Sequence, residues 1–265
     1  MPPTPRRIVV KVGTNVMTNR DHRVVRPVLR ELVRQIAAAY DRHGVVTVLV
    51  SSGSIIQGRE ILGAIDAANE TQRRQVYSAT GQPRLMRLYH DLFAEYGLTC
   101  AQVLPTKRDF QPGAHRDNMV QCYEGLLAAG VFPVANEDDA VSVTQSMFHD
   151  NDELAGLMAG LLDAERFVIL TDRDGLYDGH PDADGARLVA RVAHDADLDH
   201  LIHASGKAAG EGRGGMGSKL RFAQATAARG IPSHIADGRA ADTLLRILDG
   251  EDVGTFVAPR VVAGG

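Results

Sequence analysis

Apolar residues along the chain fall into two patterns: short, almost unbroken runs rich in valine and isoleucine, and longer stretches in which they recur every three or four positions. The short runs are RIVVKV (7–12), VVTVLV (45–50), TCAQVL (99–104), VFPVAN (131–136), RFVILT (166–171) and PSHIAD (232–237). Runs without polar alternation fit strands covered on both faces of a parallel sheet. Between them, VVRPVLRELVRQIAAAYDRHG (24–44) predicts a helix with Val28, Leu32, Ile36 and Ala39 near one face and Gly44 as its C-cap. A second helical pattern, QVYSATGQPRLMRLYHDLFAEYG (75–97), predicts a break or kink around Gly81–Pro83, because proline removes a helix hydrogen bond. DNDELAGLMAGLLD (150–163) and GSKLRFAQATAARG (217–230) predict two more helices. Alternating strands and helices imply an α/β protein, a three-layer αβα sandwich around a mainly parallel sheet. With no repeat and no linker, one domain over residues 1–260 is expected, followed by a flexible tail at 261–265. AGEGRGG (209–215) and QPGAHRD (111–117) read as mobile surface loops.

Composition narrows the function. The 265 residues carry a net charge of −4, which gives no broad basic face for nucleic acid. Trp is absent and aromatics are few, against stacking on single strands. The start has no apolar leader and no run is long enough to span a membrane, so a cytoplasmic location is expected. The two cysteines, Cys100 and Cys122, read as buried or idle thiols. His200 and His203 lack companion ligands for a metal, and none is expected to be held by side chains. The arginine-rich start of the first long helix, with Glu31 among its charges, reads as a solvated face.

Candidate chemistry falls at the strand-to-helix joints, where free N–H groups can face a ligand. KVGTN (11–15) follows the first strand and VSSGSI (50–55) the second. Each corner offers small residues and hydroxyls suited to an anion, or simply a tight turn needing a positive φ at Gly13 and Gly53. GRGGMGSK (212–219) approaches two phosphate-loop patterns but satisfies neither, since no strand precedes it. It reads as a phosphate-covering loop running into a helix with Ser218 and Lys219 in its first turn, or as a linker. NEDDAV (136–141) and HDNDELAG (149–156) bring Asp138, Asp139, Asp150 and Asp152 together with Asn136 and Asn151. Helix capping accounts for one or two carboxylates. The rest need cations, namely Lys11, Lys219, Mg2+ or a substrate ammonium. Two lysines held by one aspartate suit phosphoryl transfer, which depends on positioning and charge.

These motifs, in this order, together with TGQPRLM, FPVANEDDAVSV, LTDRDGLYDGHP and GTF (254–256), resemble the amino acid kinase superfamily almost end to end. Within it the chain resembles the branch that phosphorylates the side-chain carboxylate of L-glutamate, the opening step of proline synthesis. The resemblance implies ATP and Mg2+ as cofactors and Lys11, Lys219 and Asp152 as the catalytic set. It puts Ser52, Asp139 and Asn151 on glutamate, with Asn136 and Asp150 nearby. It puts Lys11, Gly13, Thr171, Asp172 and the segment Arg213, Gly214, Gly215, Met216, Gly217, Ser218 and Lys219 on ATP. It further implies a homo-oligomer, dimer or tetramer, a partnership with the next enzyme of the proline pathway, and a short form without the C-terminal PUA domain common in the family. NEDDA in place of the commoner NENDA adds the carboxylate of Asp138. The same fold also serves kinases of N-acetylglutamate or aspartate, and a non-catalytic nucleotide sensor is the alternative of a different class.

Overall fold

The computed structural model describes residues 6–141, 148–181, 183–197 and 215–261. Its strands are β1 (Arg6–Val12), β2 (Val45–Ser51), β3 (Thr99–Val103), β4 (Val131–Ala135), β5 (Arg166–Thr171), β6 (Arg191–Ala193), β7 (Ser233–Asp237) and β8 (Thr255–Ala258). They form an eight-stranded sheet in the order β3-β4-β2-β1-β5-β7-β8-β6. β1 pairs in parallel with β2 and β5, and the β3, β4 and β7 pairings that continue the sheet are parallel as well. Only β8 reverses against β7, with β6 parallel to it at the edge. β1, β2 and β5 are buried along nearly their whole length, as their unbroken apolar runs require. All six expected strands are present. β6 and β8 escape sequence reading because they are three and four residues long and half exposed.

The helices are α1 (Thr14–Met17), α2 (Arg26–His43), α3 (Ser54–Leu62), α4 (Glu70–Ala94), α5 (Ala114–Ala128), α6 (Asn151–Leu161), α7 (Met216–Ala227) and α8 (Thr243–Leu248). α2 buries Leu29, Leu32, Val33 and Ile36 and ends on Gly44 at φ 63°, the left-handed cap its sequence announced. Exposed Arg30 pairs with Glu95, and half-buried Arg34 pairs with Glu31 and Asp242.

α4 runs unbroken through Gly81 and Pro83, where a break or kink was expected. An interior proline costs a helix about 3 kcal/mol. Packing against α3 outweighs this, because the two helices touch backbone to backbone. A Cβ on Gly81 would lie 1.9 Å from the Ser54 carbonyl oxygen, and one on Gly58 would lie 1.9 Å from that of Tyr77. The QPGAHRD stretch is likewise only part loop, since Ala114 already opens α5 and acidic Asp117 sits in its first turn. Cys100 is half-buried and Cys122 exposed, and neither forms a disulfide. None of the described helices is long and apolar enough to cross a membrane.

Candidate active site

Because β1, β2, β4 and β5 run parallel, the motifs that follow them share one edge of the sheet. β1 lies where the connections diverge, with β2 on one side and β5 on the other. This is the crevice where open parallel sheets bind ligands. Lys11 reaches it from the end of β1, Ser52 from just beyond β2, Asn136 from just beyond β4 and Thr171 from the end of β5.

At its centre stands Asp152, fully buried in the first turn of α6. Lys11 Nζ lies 2.7 Å from its Oδ1 and Lys219 Nζ 2.9 Å from its Oδ2. Burial works against the Asp152 charge, but the two lysines more than offset it and hold the carboxyl below the usual carboxylate range. Burial pushes the Lys11 ammonium down; Asp152 opposes that shift and Lys219 adds to it. The carboxylate thus keeps two like-charged ammonium groups together in a site that excludes most water.

Asp150 is the N-cap of α6, accepting from the Asp152 N–H at 2.8 Å and the Glu153 N–H at 3.1 Å. Its other oxygen accepts from Ser218 Oγ at 2.5 Å, which ties α6 to the first turn of α7 beside Lys219. Gly215 caps α7, and Met216, Gly217 and Ser218 form its opening turn, in which the Ser218 N–H donates to the Gly215 carbonyl at 3.0 Å. Arg213 and Gly214 lie outside the described residues, as do His200, His203 and most of AGEGRGG.

A pocket of about 180 Å³ opens at the start of α6, where Asp150 and Asn151 precede Asp152, and is lined among others by Thr14, Ser52, Gly53, Asn136, Asp139 and Asn151. Gly53 sits at φ 106°, a conformation that favours glycine, and turns the chain from β2 into α3. Asn151 Nδ2 donates to Ser52 Oγ at 2.9 Å and to Asn136 Oδ1 at 3.0 Å. Asn136 Nδ2 in turn reaches Gln82 Oε1 at 3.0 Å and Ser54 Oγ at 3.2 Å. Asp139 pairs with Arg74 of α4 at 3.0 Å.

The expected acidic cluster is therefore divided among separate partners. Asp152 faces the lysines, Asp150 a helix cap and Ser218, and Asp139 an arginine. Asp138 accepts from the Ala140 N–H within its own turn and is not buried. Gly13 needs no positive φ, and its N–H is already donated to the Leu170 carbonyl. A Cβ there would sit at ordinary van der Waals distance, 3.6 Å from Lys11 Nζ. Thr171 and Asp172 flank the other side of β1, and Asn15 donates to Asp172 Oδ2 at 3.1 Å. Sequence reasoning missed Arg74, Gln82, Ser54 and Asn15 as parts of this network. Arg74 carries no local signal, being one of two adjacent arginines in a polar helix start.

The model of the amino acid kinase family matches residues 6–237. Among curated relatives, a glutamate 5-kinase of Myxococcus xanthus is 42% identical over 255 residues, covering 96% of this chain and 67% of that protein. One of Chlorobaculum tepidum is 40% identical over 259 residues, covering 97% and 71%. One of Bacteroides thetaiotaomicron is 38% identical over 246 residues, covering 93% and 68%. Among solved structures, an isopentenyl phosphate kinase of T. acidophilum superposes with a TM-score of 0.67 at 16% identity, covering 94% of this chain and 99% of its own. That last likeness speaks for the fold alone. The chain belongs to the amino acid kinase family and, within it, to the glutamate 5-kinases.

Proposed function

We infer that the protein transfers the γ-phosphoryl group of ATP to the side-chain carboxylate of L-glutamate, giving L-glutamyl 5-phosphate and ADP, the first step of proline synthesis. The observation that carries this reading is the pair of lysines on one buried carboxylate, next to a small polar pocket. The glutamate carboxylate is already ionised near neutral pH, so no general base is needed. Its oxygen attacks the γ-phosphorus, the bond to the bridging oxygen breaks, and ADP leaves with the electron pair. Charge on the moving phosphoryl group is met by Lys11 and Lys219, which Asp152 holds in position.

In this reading Ser52, Asn136, Asp139 and Asn151 hold the amino acid, with Asp150 shaping the end of the pocket nearest the lysines. Gly13, Thr171, Asp172 and residues 213–219 hold the nucleotide. Among the described residues, no three His, Cys, Asp or Glu side chains gather as a metal-binding group. Mg2+ would come bound to the nucleotide phosphates, as is usual for this ion, and would offset their charge. The functional unit is one kinase domain over residues 1–260, working in the cytoplasm as a homo-oligomer and handing its reactive product to the next enzyme of the pathway.

The test is ADP release from Mg-ATP with L-glutamate, N-acetylglutamate, aspartate and UMP in parallel, with hydroxylamine trapping any acyl phosphate. Glutamate-dependent ADP together with glutamyl hydroxamate supports the reading. Turnover with another acceptor instead would reassign the substrate, and nucleotide binding without turnover would make the protein a sensor.

A further inference from the structure

We propose that Arg74 is a specificity-determining residue of the acceptor pocket: its guanidinium takes the α-carboxylate of the incoming amino acid while its partner Asp139 takes the α-ammonium. The inference rests on the glutamate reading above and adds to it how a free α-amino acid is recognised.

Arg74 and Arg73 are neighbours on α4, yet they do different things. Arg73 turns away to Glu70 at 2.8 Å. Arg74 lines the pocket, where its Nη2 meets Asp139 Oδ1 at 3.0 Å. Its position is fixed from a second side by Gln75, whose Nε2 donates to the Ala140 carbonyl at 3.2 Å. The Nε of Arg74 is buried and has no hydrogen-bond acceptor. A buried charged donor left unpaired is unfavourable, and a carboxylate arriving from the pocket relieves it.

The charges of the wall match those of the ligand. Among the described residues lining the pocket, Arg74 is the one arginine or lysine. Glu137 there accepts from the Phe148 N–H, and Asp150 is taken up by the α6 cap and Ser218. That leaves Arg74 and Asp139 as an adjacent cation and anion. An α-amino acid presents the opposite pair, ammonium and carboxylate on one carbon. With the pocket empty the two side chains satisfy each other, so neither stands as an uncompensated charge. With the amino acid in place each meets its counter-charge, and the side-chain carboxylate is left to extend toward the lysines.

The test compares Arg74→Gln and Arg74→Lys with the unaltered protein on L-glutamate and on 4-aminobutanoate, which has the same carboxylate chain without the α-carboxylate. Hydroxamate formation gives kcat and KM. Where 4-aminobutanoate turns over too slowly, its inhibition constant against glutamate replaces the KM. The expected result for Arg74→Gln is a KM for glutamate raised about 10- to 100-fold, the range of a lost charge-assisted bond, with kcat changed far less. The value for 4-aminobutanoate stays nearly constant, so the preference for glutamate shrinks by the same factor. Arg74→Lys recovers part of it, keeping the charge but not the fork. If Arg74→Gln weakens both compounds equally, Arg74 only holds Asp139 in place and the proposal falls while the glutamate reading stands. An unaltered protein that cannot phosphorylate glutamate overturns both.

Discussion

Lys219 Nζ stands 2.9 Å from Asp152 Oδ2, although the two residues come from different helices 67 positions apart. Lys11, from the central strand, occupies the other oxygen of the same carboxylate. One buried anion thereby sets the spacing of two cations, and the sheet, α6 and α7 are locked together around it. In the proposed reaction, fold and chemistry depend on the same three side chains.

Asp152→Asn leaves two buried ammonium groups without their counter-ion. Removing one partner of a buried pair typically costs about 3–5 kcal/mol. In a chain of this size that lowers the melting temperature on the order of 10 °C. Turnover is expected to be lost with it. A variant that melts like the parent, seen by calorimetry, would show that the triad does not carry stability.

The pH dependence follows from the directions of the two shifts. The Asp152 carboxyl is held below its ordinary value, so its contribution to stability is present above about pH 4 and lost as pH falls through the lower folded value. Lys11 is also lowered, so between its folded value and about 10.4 the unfolded chain binds more protons and stability rises with pH. The same lowering brings the loss of the Lys11 charge into reach in activity. The alkaline limb of kcat/KM is expected below about pH 10.4, where an ordinary lysine would place it. A limb at or above that value would contradict the assigned environment.

Two glycine substitutions separate packing from propensity. Gly81→Ala puts a methyl group 1.9 Å from the Ser54 carbonyl, so α3 and its leading residues Ser52 and Gly53 must shift. Overpacking of this kind costs about 1–3 kcal/mol or more, and kcat/KM is expected to fall with it. Gly125→Ala, in α5 with nothing near its Cβ position, is expected to stabilise by about 0.5–1 kcal/mol. Thermal melts of both variants check the contrast, and equal effects would contradict it.

Ser218→Ala removes the short hydrogen bond to Asp150 without touching the lysines. If α7 must be held against α6 to cover the nucleotide, KM for ATP rises about tenfold while the fold is kept, as expected for a bond to a charged group. An unchanged KM would make the bond a structural detail of the α6 cap.

The sheet interior was legible because β1, β2 and β5 are apolar on both faces, a pattern no surface helix shows. β6 and β8 were not, since at the sheet edge three or four half-exposed residues carry no periodicity. Of the break or kink expected around Gly81–Pro83, no break occurs, because a local rule met a tertiary contact, the backbone crossing at Gly58 and Gly81. In the site, Lys11, Asp152 and Lys219 were legible through the motifs around them. The partition of the acidic cluster was not. Asp139 finds its cation 65 positions away in α4, and nothing in TQRRQV separates Arg74 from its solvated neighbour.

The most direct test of the central claim is the rate of glutamyl hydroxamate formation from Mg-ATP and L-glutamate by the unaltered protein and by Lys219→Ala. The account predicts trapped product from the former and a loss of about 10²–10³-fold in kcat in the variant, the effect of removing one charge-stabilising group. Circular dichroism is expected to show the fold retained, because Asp152 keeps Lys11. A folded Lys219→Ala protein that forms hydroxamate at the parent rate would contradict the account.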